Sequence, residues 1–187
     1  YQIINRVETG GCELNAYTTK EGTVLYSVFP EPYFNRAIDL LADLVMYSVF
    51  PDAEIEREKE VVLEEVYSYR DAPSEAVFDD FEDLIFGADT AMGHNILGTE
   101  AHIQAISSAH CRQYLKQQYV PENMAFFYLG PTPAHRVFRK AEKCFGAMHH
   151  SLCRTERTTP AILAPQHRVV NIGSHQSHTI VGARIPD

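Results

Sequence analysis

Glu58 and Glu65, seven residues apart, sit inside the apolar stripe of a predicted helix. On a wheel of about 100° per residue, Ile55, Val62, Val66 and Tyr69 share one narrow arc, with Val61 at the other margin and the two glutamates between. Glu60 and Glu64 point to the far side with Arg57. Two carboxylates about two turns apart on one shielded face are costly unless something cationic lies between or beside them. The pattern implies a metal ion or a basic cluster as partner. An acidic, partly exposed face accounts for the same spacing, because Leu63 and Tyr67 blur the stripe. The metal reading requires Glu58 and Glu65 to be shielded while Glu60 and Glu64 are exposed.

Charge narrows the partner. The net charge of -9 is concentrated between Asp52 and Asp83, where thirteen acids face three bases; His135 to Arg168 carries seven bases against two acids. Phosphate binding needs a coherent basic surface, and a short basic linker is not one, so nucleic acid is excluded as a partner. No stretch reaches the roughly 18 uncharged apolar residues that cross a bilayer, and no signal-peptide pattern opens the chain, so no membrane partner is expected. The four cysteines lack CxxC spacing, which favours reduced thiols and a cytoplasmic setting, with a periplasmic one also open.

The elements that must position the glutamates follow from punctuation and periodicity. Residues 1–9 have the pattern of a helix end stopped by Gly10 and Gly11. Cys12–Thr18 and Thr23–Phe29 read as an antiparallel hairpin across the turn 19–22. Pro32 opens a long helix, Asp52 caps the glutamate helix, and Pro73 starts another that ends at Gly87. The stretch 87–100 is a loop, and short helices begin at Thr99 and at Ser107 or Ser108. MAFFYLG (124–130) reads as a buried strand, 132–149 as a helix, and RVVNIG and HTIVGARI as two final strands beyond a linker at 148–167. Hairpin strands interrupted by helix pairs predict an α+β fold, a mostly antiparallel sheet with helices mainly on one face, in a single domain over 1–187.

In that order, GGCELNAYTTKEGTVLYSVFPEPYFNRAIDLLADLV, EIEREKEVVLEEVYSYRDAPSEAVFDDF and NILGTEAHIQAISSAHCRQYLKQQYVPENMAFFYLG closely resemble the catalytic domain of the pitrilysin/insulinase family of zinc peptidases. The family includes bacterial zinc proteases and mitochondrial processing peptidases, and the resemblance runs through most of the chain. It implies zinc held by two histidines of an inverted H-x-x-E-H motif and a distant downstream glutamate, with the motif's own glutamate activating the metal-bound water for peptide hydrolysis. Glu65 matches the downstream ligand, and Glu58 matches an acid that supports the site from behind the ligands. Asn15, Ala16 and Tyr17 match an edge strand that pairs backbone to backbone with an extended peptide substrate. The resemblance further implies a homologous second domain or subunit that helps enclose the peptide.

One departure limits these expectations. Neither H-x-x-E-H nor H-E-x-x-H occurs in the sequence. Family spacing puts the inverted motif roughly a dozen residues before Tyr1, so the chain reads as a fragment cut just after it. The nine histidines offer no substitute at ligand spacing, since neither His149 with His150 nor His175 with His178 has a supporting acid or cysteine. Cys111 beside His110 is not a nucleophile pair, because sequence neighbours on a helix point apart. The chain alone is therefore expected to be inactive, and to self-associate through an edge or groove around Tyr17, Val62 and Tyr69. A non-catalytic peptide-binding or scaffold subunit of the same family is the alternative.

Overall fold

Strand-forming residues on either side of the turn Thr19–Gly22 make the one sheet found among the described residues. A computed structural model describes residues 10–151, 161, 163–173 and 175–184. Strands β1 (Glu13–Thr18) and β2 (Thr23–Val28) pair antiparallel, with Asn15 opposite Tyr26 and Tyr17 opposite Val24. The Thr19 amide donates to the Gly22 carbonyl at 2.8 Å, and the Thr19 hydroxyl accepts from the Gly22 amide at 3.2 Å. A polar side chain thus closes the turn the sequence marks.

A 3-10 turn (Glu31–Tyr33) leads into α1 (Phe34–Met46). The remaining helices are α2 (Asp52–Arg70), α3 (Pro73–Phe86), α4 (Glu100–Ala105), α5 (Ser108–Gln118) and α6 (Ala134–Phe145). Local chemistry explains their ends. The Thr99 hydroxyl accepts the His102 amide at 3.3 Å and so caps α4. Gly87 stops α3 at φ 88°, a conformation side-chain-bearing residues rarely adopt. None of these helices is long and apolar enough to cross a membrane.

The chain folds as two compact units, Tyr1–Pro51 with Ser108–Thr155, and Asp52–Ser107 with Glu156–Asp187. In the first, α1 lies against β2 and α6. Phe34, Ile38 and Val137 form its buried centre, with Phe29, Tyr128, Cys144 and Phe145 packed around them. The rings of Phe34 and Tyr128 meet edge to face at 5.3 Å.

In the second unit, Leu63 and Val66 of α2 pack with Ile103 of α4, flanked by Val62 and Leu97. Gln166, Arg168, Gly182 and Arg184 each meet α3. Arg168 pairs with Asp83 at 2.7 Å, Arg184 stacks over Phe86, and Gly182 lies so close to Phe81 that a Cβ would stand 2.6 Å from its ring.

An α+β architecture with an antiparallel sheet holds, but three expected strands do not appear among the described residues. Residues 124–129, 168–173 and 178–184 form no ladder. The reason is visible at 124–130. Tyr128 is half-buried against Phe34, whereas Phe127 and Leu129 are 93% and 99% exposed, so the two-residue alternation of a strand persists without a paired neighbour among the described residues. Composition marks an extended apolar segment and says nothing of who pairs with it. The helix expected at residues 1–9 lies outside the described residues.

Candidate functional site

The expected site residues fall on two elements, one in each unit, and each is described within its own. On α2, the packed arc is narrower than the wheel suggests and centred elsewhere. Leu63 and Val66 are 9% and 4% exposed, and Lys59 joins them, its ammonium donating to Glu56 at 2.7 Å and to the Gln104 carbonyl of α4 at 3.0 Å. Burying the lysine's aliphatic stem while its tip finds a carbonyl is the usual way such a side chain enters a core. The Tyr67 hydroxyl adds a second tie to α4 through Glu100, whose hydrogen bond and charge push the phenol above its ordinary range.

Glu58 and Glu65 lie on the shoulder of this arc and are exposed, as are Glu60 and Glu64. The burial contrast that the metal reading requires of the wheel is absent, so burial gives no support to Glu58 and Glu65 as a metal site, and that assignment rests on the family resemblance alone. The wheel fixes which residues share a line along the helix, but which line is covered depends on what packs there, and α4 packs on the line of Lys59, Leu63 and Val66. The glutamates' own line is a second, uncovered stripe, where Val61 and Tyr69 remain 57% and 41% exposed.

On β1, alternation of bonded and non-bonded pairs, counted back from the closed Thr19–Gly22 pair, turns Asn15 and Tyr17 toward β2. The amides of Leu14, Ala16 and Thr18 then point to the outer edge. There Asn15 Oδ1 accepts the Ala16 amide at 2.8 Å. Asn15, Ala16 and Tyr17 are all exposed, and among the described residues no strand other than β2 pairs with β1.

The residues that line up on α2 and β1 also fall within a stretch that known proteins share. A model of the insulinase family (peptidase family M16) matches residues 1–100, which include β1 and all of α2. The chain belongs to this family. It is 34% identical over 146 residues to the uncharacterized zinc protease YmxG of Bacillus subtilis, a match covering 78% of this chain and 35% of that protein. It is 32% identical over 156 residues to the β subunit of the mitochondrial-processing peptidase of Rattus norvegicus, covering 83% of this chain and 31% of that one. The chain thus spans about a third of the length of these curated relatives.

Solved structures share the fold. The first half of the periplasmic protease PqqL of Escherichia coli superposes with a TM-score of 0.73 at 19% identity, over 85% of this chain and 35% of that one. An inactive peptidase M16 domain from Pseudomonas fluorescens gives 0.74 at 17% identity, over 85% and 39%.

The donor set does not by itself fit zinc. Among the described residues no three His, Cys, Asp or Glu side chains come together to hold a metal ion, and Glu58 with Glu65 offers carboxylates on an open face. A tetrahedral site with an open position needs three protein ligands, so no step of hydrolysis is assigned to a metal held by this chain alone.

The feature that sequence reasoning misses is the basic face of α6, where Arg136, Arg139, Lys140 and Lys143 line one cavity with Phe34 and Asn35. The signal for it is the run of bases at 136–143 inside the helix expected at 132–149, weighed there only as part of the basic stretch from His135 to Arg168.

Proposed function

We propose that this chain is part of a zinc-dependent metalloendopeptidase, to which it contributes one metal ligand, Glu65, its supporting acid, Glu58, and a peptide-binding edge, Asn15 to Tyr17. The observation that carries the reading is the family match over residues 1–100, which spans both elements. The remaining ligands and the water-activating base would come from an H-x-x-E-H segment outside this sequence. A homologous second domain or subunit would close over the peptide.

What this chain's own residues supply is binding. The outward groups of β1 can take an extended peptide as an added strand, which gives affinity through main-chain bonds and leaves sequence selectivity to side-chain pockets. A peptide carbonyl arriving at Ala16 takes the place that Asn15 Oδ1 holds. The exposed shoulder of α2 is then the face that a covering element with further ligands would close, which turns two solvated carboxylates into a costly pair unless their cation is present.

The test is made on the longer polypeptide, with the adjoining sequence attached. Glu65→Gln should lose bound zinc and peptidase activity together, and Glu58→Gln should cost about 10–100-fold in metal affinity or activity. Full zinc content and activity in Glu65→Gln would overturn the assignment. A second reading, a peptide-binding scaffold without chemistry, is favoured by the exposure of both glutamates. In that case the longer polypeptide binds peptide at β1 and hydrolyses nothing.

A further inference from the structure

We infer that the cavity between α1 and α6 is a docking site for an extended acidic peptide segment. Its volume is about 380 Å³, and its lining is Phe34 and Asn35 from α1 with Arg136, Arg139, Lys140 and Lys143 from α6. No carboxylate is among the lining residues, in a chain whose net charge is -9. The three exposed cations, Arg136, Arg139 and Lys143, recur at intervals of three and four residues, so they occupy one face of the helix over a rise of about 10 Å, while the Lys140 side chain beside them is 12% exposed and held by Asp39. Like charges at this spacing repel, and the fold does little to relieve them. Asp39 is the one carboxylate engaged there among the described residues. It accepts hydrogen bonds from Lys140 and from the Cys144 thiol, while Arg136 and Arg139 make no ion pair among the described residues.

The spacing decides what kind of anion fits. Cations three or four residues apart on a helix stand about 5–6 Å apart. Carboxylates on alternate residues of an extended chain are about 6.6 Å apart and on one face, so a segment with acids at every second position meets successive cations. A compact anion could engage only one or two of the three exposed cations. Asn35, exposed beside the bases, offers an amide that can hold the visiting main chain. Arg136 and Arg139 are exposed and hold no carboxylate among the described residues, so they can close bidentately on those of a visitor. This surface lies on different helices from the edge of β1 and can be tested without any peptidase activity.

Fluorescence anisotropy with a labelled peptide alternating Glu and Ala, titrated with the full chain, reads the interaction directly. Binding is expected to weaken about tenfold or more in Arg136→Glu/Arg139→Glu, and to fall as salt rises. The double reversal Arg70→Glu/Lys116→Glu, with the same change in net charge elsewhere, should bind as the parent does. Circular dichroism confirms that each variant is folded. Equal binding by the two double variants overturns the proposal. Inorganic triphosphate displacing the peptide at matching affinity overturns the peptide assignment in favour of a compact anion.

Discussion

Asn15 Oδ1 accepts the amide of Ala16 at 2.8 Å on the side of β1 that faces away from β2. An outer strand edge is a template for pairing with any other chain, and a side chain that occupies one of its donors blunts it. Asn15→Ala uncovers that donor without touching the ladder to β2. Light scattering should then show more self-association than in the parent chain at the same concentration. An unchanged or smaller hydrodynamic radius counts against a protective role for Asn15.

The two stripes of α2 should separate in stability. Leu63 is buried against Ile103, and Leu63→Ala is expected to cost about 2–4 kcal/mol in urea unfolding. Glu58→Gln and Glu65→Gln change only the exposed shoulder and should stay within about 0.5 kcal/mol. A glutamate variant as damaging as the leucine variant would mean the shoulder is covered in solution.

Lys59 ties α2 to the last turn of α4 through the Gln104 carbonyl, with 11% of its side chain exposed. Lys59→Met keeps the packed stem and removes the donor, leaving that carbonyl without its partner. The expected loss is about 1–2 kcal/mol, read by thermal unfolding. Lys59→Met as stable as the parent would assign the whole contribution to packing.

Acid should test the pair beneath the basic face. Burial pushes the Asp39 carboxyl up, but hydrogen bonds from Lys140 and Cys144 and the charges of Lys140 and Lys143 together hold it below its ordinary 3.8. A depressed folded value means the unfolded chain binds the proton more readily, so the pair's contribution is present above about 3.8 and is lost as pH falls through the lower folded value. The difference in melting temperature between the parent and Asp39→Asn should therefore be constant near neutrality and vanish in strong acid. A difference that grows on acidification would reverse the sign of the linkage.

Most of the local structure was legible because its causes are local. The hairpin needed only β-formers around Thr19–Gly22, α3 needed Pro73 and Gly87, and α4 needed the Thr99 hydroxyl three residues before the His102 amide it accepts. The family was legible too, since its motifs keep their order along the chain, and residues 1–100 match it.

Tertiary structure alone decided what is covered. Glu58, Glu65, Val62 and Val66 share a side of α2 on any wheel, but α4 packs on Lys59, Leu63 and Val66 and leaves the glutamates on an open shoulder. Residues 124–130 have the composition of a strand, yet a strand exists only with a partner, and Phe127 and Leu129 face solvent. The bases of α6 became a cavity wall only when Phe34 and Asn35 of α1 came to face them. Periodicity fixes the direction in which a side chain leaves its own backbone; burial, pairing and cavity depend on a second segment far away in sequence, and no window of the sequence contains it.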